Sequence, residues 1–221
     1  MRGSGGIYAS AGGGVKVLHL HFDGADESTT FVDSSAYAHT PAATYSDPKI
    51  DSARSKFGGT SGHFDGNDGL RYGAQSEYAL GLGDFTVDAW VNPGTVAVGS
   101  SIWIEFATDW AIGFDGNLSS DRFILYQISS GYKITGGSMS ADTWQHAALT
   151  RKDGVFRLFD NGVLAGSYTA EHDLGISGSR PIVGCINGQF SPWNGWIDEL
   201  RILKGYAAWT SNFTPPDAPY P

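Results

Sequence analysis

Two copies of the tetrapeptide His-Phe-Asp-Gly, at residues 21–24 and 63–66, each place an imidazole and a carboxylate beside a glycine. They could be a structural repeat, a pair of turns, or two halves of one binding site. Their spacing of 42 residues lies in the range of propeller blades. One period further on, residues 105–108 read Glu-Phe-Ala-Thr. The sequence therefore argues against a propeller, and the two aspartates stay candidates for turns or for ligands.

A second histidine precedes the first copy at a spacing suited to metal binding. His19 and His21 point to the same side of a strand, an arrangement that can bind zinc. No further cluster of cysteine and histidine completes such a site in the sequence, which favours ordinary strand residues. The single cysteine, Cys185, excludes an internal disulfide and lies in an apolar run typical of a buried thiol.

The composition indicates one large all-β domain. At 221 residues, 41% of them apolar, the chain is long enough for a sandwich with a sizeable core. Its 31 glycines follow no collagen-like period and indicate tight turns between short strands. The net charge of −9, without a lysine–arginine cluster, argues against a nucleic-acid partner. No apolar run approaches the ~20 residues that cross a bilayer, so no membrane partner is expected.

Residues 1–14 form a glycine-rich N-terminal arm, and the domain itself is placed at residues 15–221. The arm has no long apolar stretch of the kind found in signal peptides. Its composition predicts disorder in an isolated chain. We hypothesise that a neighbouring subunit orders the arm, which makes the protein a homo-oligomer.

Alternation of apolar and polar residues predicts many short strands and no long helix. The expected inward positions are Leu18, Leu20 and Phe22 in the first strand, with Lys16 in the same phase, and Phe85, Val87, Ala89 and Val91 in a central strand. Asp153-Gly154 and Asn161-Gly162 are signals for hairpin turns. Residues 40–62 and 170–180 have the composition of loops. These features together predict a two-sheet sandwich.

Several segments together resemble the laminin-G-like, concanavalin A-like jelly-roll domains. In the order of that family they read LHLHFDG, SKFGGTSGHFDGNDGLRY, GDFTVDAWV, TWQHAALTRKDGVFRLFDNGVLAG and WNGWIDELRILKGYAAWTSNFTPP. The likeness runs from about residue 17 to residue 216. It implies a two-sheet antiparallel jelly-roll sandwich whose chain ends lie close together, and it makes Trp144 the core tryptophan of the family.

The last of these segments carries an aspartate, Asp198, in the same strand phase as apolar neighbours. A buried carboxylate is unfavourable unless it is paired or bound to a cation. Related jelly rolls often carry calcium on their convex side, and the resemblance implies that Asp23, Asp65, Gly66 and Asp198 would bind it. Two alternatives stay open: a β-bulge near Glu199 that changes the phase, and aspartates that only cap turns.

The carboxylates do not form a glycosidase motif. Glycanases of this fold use the motif Glu-x-Asp-x-x-Glu, which this sequence lacks. Glu105 and Asp109 are too far apart, whereas Glu171 and Asp173 fall in an expected loop. No Gly-x-Ser-x-Gly nucleophile motif is present either. The sequence therefore predicts a protein without enzymatic activity.

A glycan-binding role would use aromatic platforms beside polar groups. The chain has 7 tryptophans and 10 tyrosines, more than a core alone requires. Trp103, Trp110 and Tyr126 are expected in the central strands, where the concave sheet would lie. The candidate glycan-binding residues lie in a turn and in a later loop: Asp109, Asp115 and Asn117, then Asn187, Gln189, Phe190 and Trp193.

Three functions from different classes follow. The first is a virion structural protein, such as a phage tail-fibre, spike or capsid-decorating subunit, because similar jelly rolls are frequent in phage particles. Such a protein is made in the host cytoplasm, contacts other virion proteins through its arm, and binds a host-surface glycan. The second is a free-standing carbohydrate-binding module or adhesin. The third, a glycan-degrading enzyme, is disfavoured by the missing motif. Fold alone does not choose among them.

Overall fold

The computed structural model describes residues 13–94, 100–116, 122–175 and 178–221. Within these ranges no helix is long and apolar enough to cross a membrane. A single 3-10 turn, Ser76–Tyr78, accompanies the strands in the described residues. The strands are β1 (Val15–Leu20), β2 (Pro41–Tyr45), β3 (Lys49–Asp51), β4 (Ser61–Asp65), β5 (Gly69–Tyr72), β6 (Phe85–Pro93), β7 (Ser100–Ala107), β8 (Trp110–Asp115), β9 (Arg122–Gln127), β10 (Gly131–Gly136), β11 (Gln145–Lys152), β12 (Val155–Asp160), β13 (Val163–Thr169), β14 (Ile182–Val183) and β15 (Asn194–Lys204).

The strands form two antiparallel sheets that enclose the core, as predicted. The eight-stranded sheet has the order β13-β12-β11-β6-β15-β4-β3, with β1 also paired to β15. The seven-stranded sheet has the order β10-β9-β8-β7-β14-β5-β2. Strands that are far apart in the sequence pair directly, as β6 and β15 do, and this makes the fold a jelly-roll sandwich rather than a series of hairpins.

The core between the sheets follows the predicted alternation. Leu18, Leu20 and Phe22 of the first predicted strand are buried in it, as are the four residues predicted to face inward from β6, namely Phe85, Val87, Ala89 and Val91. The seven-stranded sheet contributes Trp103 and Trp110, which are therefore core residues and not ligand platforms. Aromatic rings pack closely there, and Trp110 stacks on Phe156 with centroids 5.4 Å apart.

Two hairpin turns lie where the sequence places them. Asp153 and Gly154, between β11 and β12, have φ angles of 50° and 76°. Asn161 and Gly162, between β12 and β13, have φ angles of 47° and 77°. Positive φ at both central residues defines the two-residue turns whose twist matches antiparallel strands.

Two bulges change the expected phases. The pairing of β1 with β15 shifts register between Lys16 and Leu18, so Lys16 leaves the phase of the core residues that follow it. The pairing of β15 with β6 shifts between Asp198 and Arg201, and Glu199 has a φ of 50°. The bulge near Glu199, open as an alternative from the sequence, is thus confirmed. Asp198 and Glu199 both lie outside the apolar core.

The structure corrects two local predictions. The segment 40–62 is not a loop throughout, because β2 and β3 lie within it. These short strands have little apolar periodicity, since β2 alternates only between half-buried and exposed residues. Trp144 is half-buried and is not part of the core, because it precedes β11 instead of lying within it.

Residues 1–12 of the predicted arm lie outside the described residues, but the first described strand lies close to the C-terminus, as the resemblance implies. Val15 pairs with Lys204, and the Lys16 ammonium donates to a main-chain oxygen of Pro221. The segment after β15 covers the outer face of the eight-stranded sheet, where Thr150 Oγ1 donates to the carbonyl of Trp209 over 2.7 Å. Polar residues of that face are therefore buried although they point away from the core.

Candidate functional site

The outer face of the seven-stranded sheet carries a second apolar cluster, separate from the core. Side chains alternate along a strand, so the neighbours of core residues such as Trp103 and Ile112 point outward. The outward cluster comprises Ile102, Ala111, Ile124 and Ile186, with Tyr126 packed against them. An apolar outer face of this kind is suited to ligand contact where a loop leaves it open.

The loop between β14 and β15 covers part of this face and is fixed to it. The main chains of Ile186 and Phe190 exchange two hydrogen bonds, with N–O distances of 2.9 and 3.2 Å. The N–H of Ile102 in β7 donates to the carbonyl of Ser191 over 2.8 Å. These bonds fix the position of the loop relative to β7 and the outer face of the seven-stranded sheet.

Two of the predicted glycan-binding residues anchor this loop. Trp193 is only 1% exposed and belongs to the core, and its main-chain N–H donates to the Gly184 carbonyl over 2.7 Å. Gln189 Nε2 donates to the Asn67 carbonyl over 2.9 Å and so ties the loop to the turn after β4. The structure corrects the assignment of Trp193, because its buried ring cannot meet a sugar.

Phe190 has the opposite environment, with its side chain 68% exposed at the edge of a groove. We call this the Phe190 groove. Its lining combines apolar and polar side chains: Glu105, Thr108, Asp109, Ile128, Ile186, Asn187 and Phe190. An exposed aromatic face beside oxygen and nitrogen atoms is the arrangement that sugar-binding sites use.

Glu105 and Asn187 form one polar wall of the groove. Glu105 is only 3% exposed, and its Oε2 accepts a hydrogen bond from the main-chain N–H of Asn187 over 2.9 Å. Burial raises the pKa of Glu105 above its ordinary value, although this hydrogen bond acts in the other direction. The side-chain Oδ1 of Asn187 accepts from the hydroxyl of Tyr45 over 3.2 Å.

Asp109 also lines the groove and is held by a turn of its own. Its carboxylate accepts hydrogen bonds from Gln127 Nε2 over 2.9 Å and from the N–H and hydroxyl of Ser129, each over 2.6 Å. Asp109 has a φ of 79°, which places it in the left-handed region that aspartate tolerates in turns. Its carboxylate therefore shapes the groove edge as well as lining it.

Asp115 lies on the same sheet face but does not line the Phe190 groove. Its side chain is 1% exposed and accepts a hydrogen bond from the hydroxyl of Tyr132. The ring of Tyr132 packs 5.4 Å from that of Tyr126, centroid to centroid. Asn117 lies outside the described residues. The structure thus brings together Asp109, Asn187 and Phe190 from the predicted set.

In the sequence, Glu105 stands out only as a possible catalytic carboxylate, and its place in the groove becomes visible in the structure. A usable signal was present, because Glu105 stands just before the core residue Phe106 and so faces away from the core. Ile128 and Thr108 were missed as well, since each lies just beyond a strand end where alternation gives no direction.

Asp198, the central residue of the predicted metal site, is buried with one oxygen unpaired. Its Oδ2 accepts from the N–H groups of Lys56 and Phe57 over 2.8 and 3.0 Å. Its Oδ1 is buried and has no partner among the described residues. Burial raises the pKa of Asp198 to about 7. Asp23 reaches the same turn, because a Cβ at Gly58 would overlap its Oδ1.

Asp65 and Gly66 do not join this group. Asp65 pairs with Asn194, four residues along β15 from Asp198, which corresponds to roughly 13 Å. The carboxylate of Asp65 instead accepts the N–H of Asn67 over 2.9 Å, the turn-capping role left open as an alternative. Of the four residues predicted to bind a metal, only Asp23 and Asp198 therefore meet, at the turn of residues 56–58.

Comparison with protein families gives one match over most of the chain. The family described as the concanavalin A-like lectin/glucanases superfamily matches residues 64–208. A comparison with curated protein sequences finds no match.

Solved structures share the fold at low sequence identity. Domain 4 of AbnA, a GH43 extracellular arabinanase from Geobacillus stearothermophilus in complex with arabinotriose, is 19% identical with a TM-score of 0.68, over 89% of this chain and 95% of that one. The binding domain of Paraclostridial Mosquitocidal Protein 1 is 14% identical with a TM-score of 0.62, over 88% and 50%. The binding domain of botulinum neurotoxin serotype D is 17% identical with a TM-score of 0.60, over 87% and 49%. This chain thus spans about half the length of the two toxin chains.

Proposed function

Because this chain belongs to the concanavalin A-like lectin/glucanase superfamily, we propose that it is a non-catalytic domain that binds an oligosaccharide in the Phe190 groove. The observation that carries the proposal is the 68% exposed ring of Phe190, fixed by main-chain hydrogen bonds beside polar groups. A sugar ring would stack its C–H face on Phe190 while Asn187 and Asp109 meet its hydroxyls. The arabinotriose bound to the similar arabinanase domain supports a short oligosaccharide as the class of ligand.

The groove carboxylates support binding rather than hydrolysis. A glycosidase needs a general acid and a second carboxylate that reach the scissile bond. Asp109 already accepts three hydrogen bonds from its own turn. Glu105 is almost fully buried and accepts the N–H of Asn187. Both carboxylates are thus engaged in building the groove, and Asp109 keeps acceptor capacity for a sugar hydroxyl because a carboxylate has about four acceptor positions.

A glycan array tests the proposal. The purified chain should bind a restricted set of oligosaccharides, and the variant Phe190→Ala should lose that binding. Incubation of the bound glycans with the chain should release no shorter products. Absence of binding at high protein concentration, or cleavage of the glycans, would contradict the proposal.

We propose in addition that the domain works on a virus particle, as a tail-fibre, spike or capsid-decorating subunit that binds a host-surface glycan. The sequence resemblance to phage jelly rolls and the glycine-rich arm support this role. Gly14, at the base of the arm, packs so closely on β15 that a Cβ there would overlap the carbonyl of Lys204. The base of the arm is therefore fixed against β15, and we propose that the arm itself contacts a neighbouring subunit.

The molar mass in solution tests this assembly role. Light scattering should give a whole-number multiple of the chain mass, as a closed homo-oligomer requires, and a smaller species after deletion of residues 1–12, which spares Gly14. Equal molar masses would exclude the arm as an assembly element.

We propose, finally, that Asp198 and Asp23 bind a calcium ion at the turn of residues 56–58. The unpaired Oδ1 of Asp198 supports this, because a cation would satisfy an oxygen that is otherwise buried without a partner. Calcium prefers carboxylate and carbonyl oxygens, which this turn can supply. The ion would have a structural role and would stabilise the connection between the turn and β15.

A further inference from the structure

A cluster of three potential metal ligands lies on the other side of the β15 bulge. His19 lies in β1, and His21 is the first residue after that strand. Glu199 lies in the bulge itself. Their ligand atoms all lie within 4.8 Å of one another. The two imidazole rings are 4.1 Å apart, centroid to centroid. The sequence shows only the histidine pair, because Glu199 is 178 residues further along the chain than His21.

His19 contributes a nitrogen atom that has no hydrogen-bond partner among the described residues. The His19 side chain is fully buried, and its Nε2 lies 3.9 Å from Glu199 Oε2. That distance is too long for a hydrogen bond. A buried polar atom without a partner is unfavourable and calls for an explanation such as an ion. The unpaired nitrogen points into the cluster.

Glu199 is oriented towards both histidines by contacts on each of its oxygens. Oε1 lies 2.7 Å from His21 Nδ1, and Oε2 accepts the main-chain N–H of Tyr220 over 2.9 Å. The φ of 50° at Glu199 turns this side chain out of the regular strand phase. A hydrogen bond to a ligating carboxylate is the kind of outer contact that holds metal ligands in place.

We propose that His19 Nε2, His21 Nδ1 and the Glu199 carboxylate form a binding site for a divalent transition metal ion with the ligand preference of zinc. Two imidazoles and one carboxylate are a common zinc ligand set and leave a fourth position for water or an external ligand. Tetrahedral bonds of about 2.0–2.1 Å require donor atoms roughly 3.3 Å apart. Small side-chain rotations therefore suffice to close the cluster around an ion. His21, whose side chain is 22% exposed, gives the ion access from solvent.

Two positive groups face the cluster. Lys16 Nζ lies 3.2 Å from His19 Nδ1 and also donates to Pro221. When Nε2 binds a metal, the ring proton resides on Nδ1, and Lys16 keeps only its contact with Pro221. Arg201 is paired with Asp88 over 2.8 Å, so most of its charge is compensated. The site is distinct from the proposed calcium site, because nitrogen ligands disfavour calcium.

A bound ion would connect β1, the β15 bulge and the segment that follows β15. His19 and His21 belong to the first of these, Glu199 to the second, and the Tyr220 N–H fixes Glu199 from the third. Since a metal bound only to the folded chain stabilises it, zinc would stabilise the contacts of β1 with β15 and with the segment around Tyr220.

Calorimetric titration of the whole chain with zinc chloride at pH 7.5, after treatment with a chelator, tests the site. We expect saturation at one equivalent per chain and at least tenfold weaker binding in His21→Ala and in Glu199→Gln. The control His63→Ala removes another partly exposed histidine of the same sheet and should bind zinc unchanged. Millimolar calcium should not compete.

A second readout uses cobalt(II) and does not depend on heat. Cobalt bound in the unsubstituted chain should give the intense visible absorption of a four-coordinate ion, which His21→Ala should abolish. His21 is partly exposed, so this variant should fold even if Glu199→Gln does not. The proposal is overturned if zinc does not saturate at one equivalent, or if binding is the same in His21→Ala as in His63→Ala.

Discussion

Phe190 and Trp193 stand three residues apart in one loop and have opposite environments, with 68% of Phe190 exposed and 1% of Trp193. Trp193 fixes the loop in the core, and Phe190 is presented to solvent on the fixed loop. Trp193 therefore contributes to the stability of the fold, and the exposed ring of Phe190 is available for recognition.

Truncation of Trp193 should therefore destabilise the fold, and truncation of Phe190 should not. Trp193→Ala removes a fully buried ring and is expected to lower the free energy of unfolding by about 3–5 kcal/mol. Phe190→Ala should change it by less than about 1 kcal/mol, as is usual at exposed positions. Urea unfolding followed by fluorescence measures both values. Equal losses in the two variants would mean that the loop has a different path.

The buried carboxylate of Asp198 should make stability depend on pH when calcium is absent. Burial raises its pKa to about 7 in the folded chain, against an ordinary value of 3.8. The folded chain thus holds a proton on Asp198 that the unfolded chain releases, so the contribution of Asp198 to stability is fully present below pH 4 and is lost as the pH rises towards 7. This contribution is on the order of 4 kcal/mol.

Unfolding in urea with a chelator at a series of pH values measures this dependence. Asp198→Asn, which has no charge to bury, should remove the loss of stability between pH 4 and 7. If Asp198→Asn keeps the full pH dependence of stability, a group other than Asp198 causes it.

Calcium should reverse this behaviour. An ion bound at Asp198 and Asp23 keeps the carboxylate ionised, so millimolar calcium is expected to raise the melting temperature at pH 7 by several degrees, in line with ~1–3 kcal/mol of ligand stabilisation. Asp198→Asn should abolish the increase, whereas Asp65→Asn should retain it because Asp65 lies elsewhere along β4. Identical melting curves with calcium and with a chelator would contradict the calcium proposal.

A buried ion pair beneath the segment after β15 should be sensitive to the loss of one partner. Asp88 is fully buried and binds Arg201 Nε over 2.8 Å and His146 Nε2 over 3.2 Å. Asp88→Ala would leave the Arg201 charge without its partner, at an expected loss of about 3–5 kcal/mol. Lys152→Ala, which breaks an exposed ion pair with Asp84, serves as the control and should cost far less. Equal losses in denaturant unfolding would disagree with this account.

The sheets and hairpins could be predicted from the sequence because they depend on local patterns. The alternation in residues 85–91 and the turn pairs Asp153-Gly154 and Asn161-Gly162 specify strand faces and connections without reference to distant parts of the chain. Even the bulge at Glu199 left a local signal, the apolar residues in both phases of β15.

The sites were less predictable, because they depend on which segments meet. Asp23 and Asp65 occupy the same position in two copies of one tetrapeptide. Only Asp23 reaches the turn of residues 56–58, whose N–H groups donate to Asp198. Phe190 and Trp193 differ in burial because of the path of the loop, which composition does not encode. Likewise, the approach of Glu199 to two histidines follows from the pairing of β1 with β15.

The central claim is that Phe190 provides the sugar-binding surface, and titration calorimetry tests it most directly. The oligosaccharide selected by the array would be titrated into the unsubstituted chain, into Phe190→Ala, and into Tyr206→Ala, which removes an exposed aromatic ring from the far side of the molecule. We predict at least tenfold weaker binding in Phe190→Ala, on the order of 1.4 kcal/mol or more, and unchanged binding in Tyr206→Ala. Equal affinities of Phe190→Ala and the unsubstituted chain would contradict the account.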